Sequence, residues 1–210
     1  MTMHKQPYRQ NPLLRRSYSL IAPVYDAVIE RPMREARKSS LEALPAVERK
    51  NVLISGVGTG LDLSLVPALH RYTALDFNPA MLARARPRAK GLDVEFILGD
   101  SMNLPFGDAH FDHIILHLIV AVVPEPQRCL SEAARVLKPG GTIILFDKFL
   151  QAQQRAPFRR LLNMVTRRFA TRMDVVFEDV LSAAPELEVA SDVAMLANGW
   201  FRGIVLQKSK

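Results

Sequence analysis

One cysteine, Cys129, is all that 210 residues contain. An intrachain disulfide and a cysteine-built metal cluster are both excluded, and the expected setting is a reducing cytoplasm. Long hydrophobic runs are missing as well. The longest, residues 114–123, is interrupted by His117 and falls short of the roughly 20 residues a membrane span requires. The basic N-terminus is not followed by an apolar signal region. Repeats and low-complexity tracts are absent. So is Gly-Lys-[Ser/Thr], which removes a P-loop, and so is any grouping of residue types with metal-ligand spacing. The length suits one domain with a sizeable core.

What is abundant is positive charge, a formal net of +7. A basic chain favours nucleic acid, anionic lipid or acidic substrates. Zinc-finger, helix-turn-helix and aromatic RNP patterns are all lacking, which argues against nucleic acid. The charge is also uneven. Residues 155–172 carry six arginines and no acid, interleaved with Leu161, Leu162, Met164, Val165 and Phe169. This is a basic amphipathic pattern, and with Arg15-Arg16 it fits peripheral contact with an anionic membrane. A cap helix with a solvated arginine face is the other reading.

The most informative stretch is 51–62, Asn-Val-Leu-Ile-Ser-Gly-Val-Gly-Thr-Gly-Leu-Asp. Val52-Leu53-Ile54 has the length of a buried parallel strand. Gly56, Gly58 and Gly60 follow at alternate positions, and a helical pattern is expected from Leu61 to Leu69. Loop amides and a positive helix end would then face an electron-rich ligand. The spacing G-x-G-x-G is not the G-x-G-x-x-G of dinucleotide sites.

Downstream, strands alternate with helices. Tyr72–Leu75 is a predicted strand ending in Asp76, which can accept two ribose hydroxyls or simply cap the next helix. Asn78-Pro79 starts a basic helix running to about Arg88. Val94–Leu98 is a third strand, followed by Gly99-Asp100-Ser101-Met102. Asp100 either meets an adenine amino group, with Ser101 and Met102 lining the base, or closes a turn. Phe111–Leu118 is a fourth strand. His117, at its end, is a candidate general base or a structural histidine. A helix over 127–137 stops at Gly140-Gly141, and 142–146 forms a fifth strand. Residues 178–184 suggest another helix. Residues 189–195 and 201–206 suggest a closing hairpin through Asn198-Gly199. The expected fold is α/β, a single-domain doubly wound and mostly parallel sheet. Residues 1–44 form a tail and helical cap, 45–210 the α/β domain, and 151–186 a helical cap insertion.

The glycine loop, Asp76, Gly99-Asp100 and Leu137-Lys-Pro-Gly-Gly141, in this order, resemble the motifs of class I S-adenosylmethionine (SAM)-dependent methyltransferases. Tyr18-Ser-Leu-Ile-Ala-Pro-Val-Tyr-Asp26 is similar to the N-terminal segment of quinone-pathway and phospholipid methyltransferases. The resemblance implies a Rossmann-like seven-stranded sheet and SAM as cofactor. Gly56, Val57, Gly58 and Gly60 would pass the amino-acid part of SAM, Asp76 would hold the ribose with Phe77 beside the adenine, and Asp100, Ser101 and Met102 would hold the base. His117 and Tyr25 are the implied catalytic candidates. The acceptor would be a small apolar molecule or a lipid. The sequence says nothing of oligomeric state.

One departure stands out. The family carries an acid two residues before the first glycine, and this chain has Ile54. Its role can pass to Asp62. The departure also opens a second chemistry, aminotransfer to a quinone as in rhodoquinone biosynthesis.

Overall fold

The computed structural model describes residues 33–150, 175–197 and 199–210. Tyr18, Tyr25, the Arg15-Arg16 pair, the basic stretch 155–172 and Asn198 lie outside these residues.

Seven strands form one sheet in the order β3-β2-β1-β4-β5-β7-β6. They are β1 (Asn51–Ser55), β2 (Arg71–Asp76), β3 (Asp93–Leu98), β4 (Phe111–His117), β5 (Leu137–Lys148), β6 (Leu187–Leu196) and β7 (Phe201–Lys208). Neighbours among the first five pair in parallel. β7 lies antiparallel between β5 and β6, so the expected closing hairpin is present. The helices are α1 (residues 33–41), α2 (Pro79–Ala85), α3 (Pro126–Val136) and α4 (Phe177–Leu181).

The strand alternation sorts the core into two layers. Val52 and Ile54 face one side with Tyr72, Ala74, Ile115 and Ile144, where Leu41, Leu44, Leu82 and Ala85 cover them. Leu53 faces the other side with Ile114, Leu116, Ile143 and Leu145, against α3 and α4. Strands buried on both faces need continuous apolar runs, and Ile114, Ile115 and Leu116 are all fully buried. The described end of the expected cap insertion, from Val175 through α4 to Ala184, contributes to this second core layer.

The helix expected over 61–69 does not form. Only a single 3₁₀ turn, Asp62–Ser64, follows the glycine loop. Pro67 is the reason: it has no amide for a helical bond and biases Val66 away from the helical region. With no α-helix there, no macrodipole faces the loop. Farther on, Asn78 caps α2 as expected, its side-chain oxygen accepting from the Ala80 amide at 2.9 Å. That helix is shorter than expected. It turns 3₁₀ at Arg86–Ala89, across Pro87.

Two features hold the connections in place. Gly60 sits at φ +83°, and a Cβ there would lie 2.9 Å from the Cα and Cβ of Ala85. The third glycine is therefore the contact between loop and α2. The second feature is a clamp on residues 104–108. Glu132 accepts from the Leu104 amide at 2.8 Å and from Arg135, whose guanidinium also donates to the carbonyls of Phe106 and Leu104.

Gly60→Ala is expected to cost about 2–4 kcal/mol in urea unfolding, combining the left-handed penalty with overpacking against backbone. The Arg135 hydrogen bond, chiefly, lowers the Glu132 pKa. A carboxylate whose folded value is depressed stabilises above its unfolded value, about 4.3, and loses that contribution as pH falls toward the folded value. The drop in Tm between about pH 5 and pH 3 should thus be smaller in Glu132→Gln than in the wild type.

Candidate functional site

A pocket opens at the C-terminal ends of β1, β2 and β4. The sheet order reverses between β1 and β4, and open α/β sheets leave a crevice for ligands at that point. The open space inside it and at its mouth is about 740 Å³.

The three loop glycines do different things. A Cβ on Gly56 would strike the Ile119 side chain at 2.7 Å, so Ile119 fills that space. Gly60 faces Ala85. Around Gly58 the nearest atom to a Cβ is a backbone oxygen at 4.0 Å, and this glycine alone leaves room on the pocket side. The amides also depart from expectation. Gly56 and Val57 both donate to the Leu75 carbonyl, at 2.8 and 2.9 Å, and Gly60 donates to the Val57 carbonyl. Gly58 donates to Asp76 at 2.8 Å. These four N–H groups are spent on the protein itself. The loop is not a phosphate cradle; it offers bare main chain to a ligand without phosphate.

Asp76 is brought to the pocket, as are Gly56, Val57, Gly58, Asp62, Phe77 and His117. The Asp76 carboxylate accepts from Gly58 through one oxygen and from the Asn78 amide, at 2.9 Å, through the other. Burial raises its pKa against the lowering effect of these bonds.

Asp62 is more deeply committed. Its Oδ1 accepts from the Arg37 guanidinium at 2.7 Å and lies 2.9 Å from His117 Nδ1. Burial alone would raise its pKa. The guanidinium and the imidazole outweigh burial and hold the carboxyl well below the usual range. Ile54, by contrast, is a core residue beside Leu82 and Ile115. The pocket carboxylate on this side is Asp62.

His117 is 4% exposed. Its Nδ1 faces Asp62, and its Nε2 lies 3.2 Å from Ser40 Oγ. The tautomer that satisfies both contacts carries the proton on Nδ1 and leaves Nε2 to accept from the serine hydroxyl.

Gly60, Asp100, Ser101 and Met102 are not among the pocket-lining residues. Asp100 closes a turn, its Oδ1 accepting from the Met102 amide at 2.9 Å. Ser101 accepts from the Ser55 hydroxyl at 2.8 Å, and Met102 is buried in the core.

Sequence reasoning missed Arg37, Met81, Leu118, Ile119 and Val122, all of which line the pocket. Arg37 carried a usable signal. It lies one helical turn before Leu41, at i and i+4, and is 5% exposed. Leu118 carried none. It adopts φ +56°, a strained position for a bulky residue, and turns the chain sharply at the tip of β4.

The profile of a family described as a methyltransferase domain matches residues 53–145. The phosphatidylethanolamine N-methyltransferase of Cereibacter sphaeroides is 35% identical over 164 residues, 75% of this chain and 79% of that protein. The demethylmenaquinone methyltransferase of Renibacterium salmoninarum is 34% identical over 132 residues, 60% of this chain and 55% of that protein. Among solved structures, a SAM-dependent methyltransferase from Thermotoga maritima superposes with a TM-score of 0.68 at 19% identity, covering 94% of this chain and 100% of that one. The [4+2]-cyclase SpnF does so at 0.72 and 18%, covering 92% of this chain and 94% of that one. At such identity these structures share the fold, and the fold alone does not choose the chemistry. The relative that matches over three quarters of this chain does: the protein belongs to the class I SAM-dependent methyltransferases, with SAM as its cofactor.

Proposed function

We propose that this methyltransferase acts on a small apolar or membrane-dissolved acceptor, a lipid or a quinone precursor. The observation that carries the reading is the mixed lining of the pocket. Arg37, Asp62 and Asp76 give it a charged part, and Met81, Leu118, Ile119 and Val122 give it an apolar one. An apolar wall excludes water from the reacting centre and favours an apolar acceptor. The names of the two relatives, a phospholipid enzyme and a quinone enzyme, point the same way.

The residues present fit the cofactor. SAM has no phosphate, and the loop amides are already bonded. Its amino-acid end carries both charges, and Arg37 and Asp62 form a complementary pair at the pocket. In this reading Arg37 faces the cofactor carboxylate and Asp62 its ammonium. Gly58 lets the ligand lie close to main chain, Asp76 receives the ribose hydroxyls, and Phe77 lies beside the adenine. Asp100 uses Oδ1 for its turn, and the reading gives Oδ2 to the adenine amino group. When bound, SAM supplies a methyl group on a sulfonium, open to direct displacement. The protein's task is to align the acceptor and keep the site dry. An oxygen or carbon acceptor also needs a base. Both nitrogens of His117 are engaged, so this reading has it orient Asp62 and leaves Tyr25 as the candidate base. Contact with an anionic membrane rests on the residue pattern of 155–172. Among the described residues no helix is long and apolar enough to cross a membrane.

Calorimetry with S-adenosylhomocysteine tests the site. Asp76→Ala and Asp100→Ala should each weaken binding by about tenfold or more, the scale of a lost charge-assisted bond. Gly58→Ala should lose affinity at a smaller stability cost than Gly60→Ala, since at φ +56° it carries the left-handed penalty without the backbone clash. Methyl-labelled SAM offered with phosphatidylethanolamine vesicles and, separately, with a demethylated quinol tests the acceptor. Label in neither product would sink the acceptor assignment. Sedimentation with anionic liposomes should show binding that weakens with salt; salt-insensitive or absent binding would remove the membrane part.

A further inference from the structure

Four polar side chains from three parts of the chain meet beside the pocket. Arg37 and Ser40 come from α1, Asp62 from the turn after the glycine loop, and His117 from the tip of β4. They are 5%, 6%, 3% and 4% exposed. The contacts run in series: Ser40 Oγ to His117 Nε2 at 3.2 Å, His117 Nδ1 to Asp62 Oδ1 at 2.9 Å, and Asp62 Oδ1 to Arg37 at 2.7 Å. In so dry a place each bond is strong, and each unpaired member is costly.

Three of the four line the pocket. Ser40 does not. Its hydroxyl nevertheless completes the series. The ionised Asp62 can only accept, which puts the ring proton on Nδ1, and Ser40 is placed to donate to Nε2 and hold the imidazole in that orientation. Asp62 is then held by two donors from two different elements, and its carboxylate has one orientation toward the pocket.

We infer that Ser40 is a positioning residue. Acting through His117, it fixes the Asp62 carboxylate that faces the amino-acid end of the cofactor. The same series of bonds links the seating of α1 to cofactor binding. The inference rests on the cofactor reading above and adds to it a residue outside the pocket.

A space-filling role is the competing account of Ser40, since an inward serine on a helix can instead bond the carbonyl one turn back. The two accounts differ in what they predict. Leu41 on α1, with Leu44 just past its end, already packs into the core, so the helix has an apolar anchor of its own. If the serine only fills space, alanine should serve as well. If it positions His117, its effect should vanish once the imidazole is gone. Linkage adds a further consequence: if seated α1 favours the cofactor, bound cofactor must favour seated α1 by the same factor.

The experiment uses the full chain with S-adenosylhomocysteine as probe. Calorimetry compares the wild type with Ser40→Ala, Ser40→Thr, His117→Leu and the Ser40→Ala/His117→Leu double variant. Hydrogen exchange follows the amides of residues 33–41 with and without the probe. Ser40→Ala should weaken binding about five- to tenfold, the scale of one buried hydrogen bond. Ser40→Thr, which keeps the hydroxyl, should restore affinity to within about twofold of the wild type, and Ser40→Ala should add no further loss to His117→Leu. The probe should slow exchange over 33–41 in the wild type, and less so in Ser40→Ala. Wild-type affinity in Ser40→Ala, or the same loss with and without His117, would overturn the positioning role. Unchanged exchange in the wild type, a readout that needs no variant to fold, would overturn the coupling. No uptake of the probe by the wild type would instead sink the cofactor reading on which the inference stands.

Discussion

A carboxylate almost out of reach of water sits where α1, the glycine loop and the fourth strand converge. Asp62 cannot be stable there by itself, because burying a lone charge costs several kcal/mol. It is stable because Arg37 reaches it from α1 and His117 from β4. The need for both partners constrains everything around them. Helix α1 must sit with its polar positions inward, β4 must end at His117, and the chain after Gly60 must turn at once to bring Asp62 under the pocket.

The glycine loop is arranged by the same economy of space. Its amides bond back to Leu75, Val57 and Asp76, so the loop is rigid before any ligand arrives. Two of its glycines exist for neighbours within the protein, Ile119 and Ala85, and one leaves room in the pocket. That division explains how three glycines in a row of alternate positions can serve packing and binding together. Asp147 supports the apolar part of the lining in a similar way. Fully buried at the end of β5, it accepts from the Ala121 amide at 2.9 Å and so steadies the stretch that carries Leu118, Ile119 and Val122.

Much of the fold was legible in the residues. Buried parallel strands must be apolar on both faces, and Val52–Ile54 and Ile114–Leu116 have no other use. Asn78-Pro79 announces a helix start, and the alternation of strand and helix leaves few topologies. Over 61–69 apolar spacing points to a helix, but Pro67, with its missing amide, decides the matter locally. Part of the site was also legible: Gly58, Asp76 and Asp62 all stand out by residue type and position. Leu118 and Ile119 do not, since their place depends on a left-handed turn that no residue type there signals. Arg37 looks like one basic residue among several on a solvated helix, and only its place one turn before Leu41 sets it apart.

The residues by themselves determined the sheet, the class of fold and the glycine loop at the pocket, because these depend on short-range patterns of polarity and on backbone freedom at glycine. Only the tertiary structure decided which glycine leaves the pocket open, which acid faces it, and what holds that acid in place. Those outcomes depend on side chains up to 77 positions apart meeting at hydrogen-bond distance, as Ser40 and His117 do. No local pattern encodes a contact of that range; it exists once the sheet and α1 have packed together.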